Sequence, residues 1–198
     1  MKTSYLFISL FAAVISLSGC KDASEKTSST APAKTTPAAV SLPAIATEAK
    51  GFTVGSAMSA RTVYVFFDTQ CPHCAALWAA AKPLKSQAKF VWIPVGLLNA
   101  ASTSQGATLL AAGDATALMD EHEASMRDRK GGITAAGNID AQKAFVESNT
   151  KLMNRFQFGS VPTVVGKHAV TGETVVQEGS MPTAALANLL GLQPPAGG

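Results

Sequence analysis

Apolar and polar positions divide the chain into three stretches. Tyr5 to Leu17 is an uncharged, mainly apolar run, residues 21–48 show neither a helical nor a strand period, and from Gly51 to Leu192 short apolar segments alternate with polar ones. Within that last stretch, Thr62 to Phe67 is continuous, β-branched and aromatic, the pattern of a strand buried on both faces. Cys71 to Ala81 is alanine-rich with Leu77 and Trp78, predicting a helix that Pro83 kinks or ends. Lys89 to Val95 predicts a second strand, with Pro94 placing it near a sheet edge or stopping it there.

A helical region follows. Gly106 to Ala112 is short and apolar, and Asp114 can cap a helix running to about Met126, with Gly131-Gly132 ending the segment. Asp140 is the expected cap of a further helix, in which Phe145, Leu152 and Phe156 share one face at offsets of seven and four. Val161 to Val165 and Thr171 to Gln177 read as two strands around the turn Thr171-Gly172, and Pro182 to Leu190 as a closing helix. A βαβ unit, a helical insertion over about residues 98–158 and a final ββα unit make an α/β layer architecture.

Composition changes this picture at the N-terminus. Of 198 residues, 47% are hydrophobic and 15% charged, but part of the apolar share belongs to a targeting segment. Lys2 supplies a positive start, the run to Leu17 is too short for a comfortable transmembrane helix, and Ser18 and Gly19 precede Cys20. Leu17-Ser18-Gly19-Cys20 resembles a bacterial lipobox, which implies a signal peptide over residues 1–19 and a lipidated Cys20 anchored in a lipid bilayer. The alternative is an ordinary cleaved signal, or an uncleaved anchor, with an incidental cysteine. Lys21 after the cysteine favours the outer membrane by the enteric rule. Residues 20–48, rich in Ala, Thr, Ser, Pro and Lys, read as a flexible tether, and residues 194–198 as a loose tail. A catalytic domain is expected over residues 49–193. The net charge of +3 is too mild for a nucleic-acid partner.

The chemistry is carried by Cys71-Pro72-His73-Cys74, which follows a buried strand and opens a helix. In that setting the spacing reads as a thioredoxin-like redox motif. Cys71 falls at the N-cap, where free backbone N–H groups and the helix dipole favour an anion. Pro72 suits the first helical position because it lacks the N–H that would go unpaired there. His73 can donate a hydrogen bond or place positive charge near the Cys71 sulfur, which would lower its pKa and make the disulfide a stronger oxidant. No cofactor beyond the Cys71–Cys74 pair is required. A structural zinc site would need four ligands, and His122 and His168 stand isolated. A two-residue disulfide loop would constrain the unfolded chain little.

From Val63 to about Leu192 the chain resembles the catalytic domain of the DsbC/DsbG family of periplasmic disulfide isomerases. The resemblance rests on Phe66-Phe67-Asp68-x-x-Cys71-Pro72-His73-Cys74, Trp78, Pro94-Val95-Gly96, the helical insertion, Asn149 to Met153 and Val161-Pro162. It implies a thioredoxin-like fold in which Cys71 attacks, Cys74 resolves the mixed disulfide, and Val161 with a cis Pro162 forms a turn that binds substrate peptide. Its expected partners are substrate proteins with cysteines and a membrane protein that recycles the pair. The family's N-terminal dimerisation domain has only the tether as its counterpart, and Val161 stands where the isomerases carry Thr. Val161 with Cys-Pro-His-Cys resembles the oxidase DsbA instead, which points to a monomeric, oxidising exchange protein. The alternatives are a reductase of sulfenylated or misoxidised cysteines, a copper-handling lipoprotein using Cys71, Cys74 and His73, and a non-catalytic holdase.

Other candidates have plainer readings. His122, among Asp120, Glu121 and Glu123, is expected on a solvated helix face rather than at a metal. Met119, Met126 and Met153 are expected to fill core or interface, Trp78 and Trp92 to pack in the core, and Lys167 and His168 to lie in a turn. Asp68 either tunes the site through a hydrogen bond or simply ends its strand.

Overall fold

The computed structural model describes residues 39–195. The expected signal peptide, Cys20 and most of the expected tether lie outside the described residues, as do 196–198. Among the described residues no helix is long and apolar enough to cross a membrane.

Five strands form one sheet in the order β1-β3-β2-β4-β5. They are β1 (Phe52–Gly55), β2 (Thr62–Phe67), β3 (Lys89–Pro94), β4 (Thr163–Lys167) and β5 (Thr174–Glu178). Only β2 and β3 run parallel, with α2 (Pro72–Ala81) between them; β1 pairs antiparallel with β3, β4 with β2, and β5 with β4. The remaining helices are α1 (Leu42–Glu48), α3 (Ala100–Ala111), α4 (Ala115–Arg127), α5 (Asp140–Arg155) and α6 (Thr183–Leu190). A βαβ unit and a ββα unit thus share one sheet, with α3 to α5 inserted between them.

The strand period of two sorts the core into two layers. Val63, Val65 and Phe67 of β2 and Phe90 and Trp92 of β3 face the layer holding Cys74, Leu77, Trp78 and Leu186. Phe66, Ile93 and Val95 face the other, with Ile45, Leu152, Met153 and Phe156. Trp78 and Trp92 meet edge to face at 4.9 Å between ring centroids, as their expected core placement requires.

Several elements differ from expectation. The folded part starts before residue 49: Ser41 caps α1, and Ile45 is fully buried. Arg155 pairs with Glu48 through both guanidinium nitrogens. Ile45, flanked by the half-buried Val40, Leu42 and Ala44, docks a segment whose composition reads as coil. β1 was not expected, because its four residues contain only two inward side chains, Phe52 and Val54. β3 stops at Pro94 but is no edge strand, since β1 covers it. The first inserted helix starts at Ala100, where Asn99 and Ser102 form a capping box.

Ile139 rather than Asp140 sits at the N-cap of α5, and Asp140 is its first helical residue. The buried face of α5 runs through Val146, Asn149, Leu152 and Met153, and Phe145 is exposed. The last two strands begin at Thr163 and Thr174, two and three residues later than expected. At the C-terminus Gln193 is held by both ends of the Gln87 amide.

Candidate active site

The site is assembled where β2 hands over to α2. Asp68, fully buried, ends the strand, and its carboxylate accepts from the backbone N–H groups of Gln70, Leu97 and Leu98 at 2.8, 2.7 and 3.0 Å. It therefore ties the loop carrying the cysteines to the loop after β3, and both expected readings hold in part. The Cys71 N–H donates to the Asp68 carbonyl at 3.1 Å, turning the chain into α2.

Cys71 is the N-cap of α2, with φ −93° and ψ 115°, and Pro72 stands at the start of the helix. No side chain caps this end, so its backbone donors are left for the sulfur. The Cys71 thiol is pulled down to about 6, first by a hydrogen bond from the Cys74 thiol. Burial opposes this, and the N–H groups of Cys74 and His73 and the His73 charge add to it. His73, expected to add to the effect of the helix start, has an exposed side chain and its charge is the smallest contributor. Cys74 is 1% exposed, and burial together with the neighbouring Cys71 sulfur drives its thiol pKa strongly up. The two sulfurs thus differ sharply in acidity, one turn apart. Both are free thiols.

Opposite the cysteines the Val161–Pro162 peptide is cis, and the Cys71 thiol donates to the Val161 carbonyl at 3.5 Å. The turn is anchored from β5: Glu178 accepts from the Gly159 N–H at 2.9 Å and from the Ser160 hydroxyl at 3.1 Å. The Gly179 N–H donates to the Pro162 carbonyl at 2.8 Å. The structure therefore brings Cys71, Pro72, His73, Cys74, Val161 and Pro162 together in one place.

The other flank corrects an expectation. His122 is not on a solvated face but fully buried. Its Nε2 lies 2.8 Å from the Thr69 carbonyl, and its Nδ1 accepts from the Ile133 N–H at 3.2 Å. Donating at Nε2 and accepting at Nδ1 is the pattern of a neutral ring, and burial holds its pKa below the ordinary histidine value. The histidine clamps the residue two before Cys71 to the loop after α4. Gly132 makes room for it: φ is +89°, and a β-carbon there would collide with the imidazole.

Next to it, Glu123 is 3% exposed and its Oε2 has no hydrogen-bond partner. Burial pushes this carboxyl up to about 7; the Cys71 sulfur and Asp120 raise it further, while Arg127 and Lys82 oppose them. Glu123 and Met126 line a cavity of about 210 Å³ together with Thr69, Cys71, Pro72 and Ala75. Sequence reasoning missed Glu123. Nothing in the sequence marks it: Gly132 signals the close packing of His122, not of Glu123. Asn149 is buried and joins Lys50 to Pro94, its amide bonding the Lys50 N–H and carbonyl and the Pro94 carbonyl at 2.7–2.9 Å. His168 lies in its turn as expected, accepting from Val170 and Thr171, whereas Lys167 is the last residue of β4 and pairs with Thr174. Among the described residues no three His, Cys, Asp or Glu side chains gather in a group that could hold a metal ion.

No protein-family model matches the chain. It is 28% identical over 140 residues to the thiol:disulfide interchange protein DsbG of Pseudomonas aeruginosa, a match covering 69% of this chain and 54% of that protein. The chain therefore spans about half the length of this curated relative. Among solved structures it is similar to a thioredoxin-like oxidoreductase from Silicibacter pomeroyi, with TM-score 0.60, 17% identity and coverage of 77% of this chain and 96% of that one. The catalytic domain of Proteus mirabilis ScsC gives TM-score 0.58 at 14% identity, covering 75% and 91%. A periplasmic thioredoxin-like protein from Salmonella enterica gives 0.56 at 14%, covering 72% and 88%. The chain thus has a thioredoxin-like fold and is similar in sequence to a thiol:disulfide interchange protein.

Proposed function

We propose that this protein is an exported thiol–disulfide oxidoreductase working through Cys71 and Cys74. The observation that carries the reading is the pairing of an acidic Cys71 thiol, facing the Val161 carbonyl, with a sealed and weakly acidic Cys74 thiol. Only the first is a thiolate near neutrality, so nucleophile and resolving group are assigned by environment. In the oxidising direction a substrate thiolate attacks Cys71 of the Cys71–Cys74 disulfide. A substrate–Cys71 bond forms, and Cys74 leaves and takes a proton. A second substrate thiolate then attacks the substrate sulfur of that mixed disulfide. The substrate disulfide forms, Cys71 leaves as thiolate, and two electrons have passed to the pair.

Stabilising the reduced thiolate favours the reduced pair, which makes the disulfide an oxidant. The reading extends to substrate proteins with cysteines and to a membrane partner that reoxidises the pair. It also extends to a monomer held in the periplasm by lipid on Cys20. The periplasmic part is supported by the likeness in fold to a periplasmic Salmonella protein and by the sequence match to an interchange protein.

The test is a Cys74→Ser variant in a Cys20→Ser background. Mixed disulfides with client proteins should accumulate through Cys71, and equilibrium with glutathione should show the wild-type pair to be readily reduced. No trapped species, with a pair as hard to reduce as a structural disulfide, would refute the reading.

A further inference from the structure

The cavity between the start of α2 and α4 opens on the reactive sulfur, on the side away from the cis turn. Its walls are Thr69, Pro72, Ala75 and the Met126 thioether, with Cys71 on one side and Glu123 contributing a carboxyl. At about 210 Å³ it holds one side chain rather than a peptide segment. The Glu123 Oε2 is fully buried and lacks a partner among the described residues. An unpaired buried polar atom costs free energy, which a complementary ligand group removes. Apolar walls with one unsatisfied polar group are the make-up of a site that selects its occupant.

Resting on the redox reading above, we propose that this cavity is a specificity subsite. It takes the carboxamide side chain, Asn or Gln, of a residue adjoining the substrate cysteine, with Glu123 as its hydrogen-bonding partner. The chemistry favours a carboxamide over the alternatives. A cation would have to enter a cavity that Arg127 also lines. A carboxylate would meet Glu123 itself. An aliphatic side chain would leave the buried oxygen unpaired. A carboxamide offers both a donor and an acceptor, and a carboxyl that holds its proton near neutrality offers the same pair in return. Glu123 is thus a specificity-determining residue, while Cys71 and Cys74 do the exchange.

The experiment uses the full chain with Cys20→Ser, oxidised at Cys71–Cys74. Its reduction is timed with glutathione and with synthetic peptides in which the residue before or after a single cysteine is Gln, Asn, Leu, Lys or Glu. The expected result is a roughly tenfold faster reaction with the Gln or Asn peptides than with the Leu peptide, the size of one buried hydrogen bond. Glu123→Leu should erase that preference, read as the ratio of the Gln-peptide rate to the Leu-peptide rate in the same variant. Glu123→Gln, which pairs amide to amide, should keep it. Equal rates for carboxamide and Leu peptides, a preference for Lys or Glu, or a carboxamide preference that survives Glu123→Leu would overturn the subsite. Failure of glutathione to reduce the wild-type pair would instead overturn the redox reading on which it rests.

Discussion

The two flanks of Cys71 are built differently. On the sheet side the cis turn is set by the pairing of β4 with β2 and β5, and its anchoring side chain, Glu178, is exposed at the surface. On the helical side α4 brings two adjacent ionisable residues, His122 and Glu123, into the interior. One flank holds its position through backbone register, which tolerates most side chains. The other depends on individual polar groups, each costly if left unpaired. The same sulfur therefore faces backbone held in register on one side and buried polar side chains on the other.

Substitutions sharpen this contrast, and the largest effect should come from the sulfur itself. Cys71→Ser should abolish disulfide exchange while leaving the fold intact, as read by exchange rate and circular dichroism. Next, His122→Leu removes the partner of both the Thr69 carbonyl and the Ile133 N–H. It should cost about 1–3 kcal/mol in urea unfolding. Asn149→Ala frees the Lys50 and Pro94 backbone groups in the other core layer and should cost a comparable amount without changing Cys71 reactivity. Smallest is Glu178→Ala: its bonds to Gly159 and Ser160 lie in solvent, and its loss should cost under about 1 kcal/mol. A Glu178 effect larger than that of His122 would break the contrast.

The helical flank should also leave a signature in pH. The folded His122 stays neutral where the unfolded chain takes up a proton, below about 6.5. Stability should therefore fall as pH drops through that value, and His122→Gln should remove this dependence. Glu123 acts in the opposite sense. Folded, it holds a proton up to about 7, whereas its ordinary value is 4.5, so its contribution is lost as pH rises between the two. Urea unfolding of Glu123→Gln against pH should lack that loss.

The same contrast decides what could be read from the sequence. The motif at Cys71 to Cys74, the two central strands and the Val161-Pro162 turn were legible because strand periodicity and a sharp spacing rule mark them. Asp120-Glu121-His122-Glu123 has the look of a wet helix face, and α4 does expose Asp120 and Glu121. Only tertiary packing against the Thr69 loop and Gly132 pulls the next two residues inside. β1 and α1 were missed for a related reason: each has only one or two inward side chains, too few to make a period. Phe145 shows the converse, a hydrophobic residue at helical spacing that finds no partner layer.

The assignment of roles to the two cysteines is tested most directly by titrating the reduced pair in the Cys20→Ser chain, following thiolate absorbance or the rate of alkylation against pH. The account predicts a single step near pH 6 that disappears in Cys71→Ser. A first step close to the ordinary thiol value near 9, or one that survives Cys71→Ser and vanishes in Cys74→Ser, would contradict it.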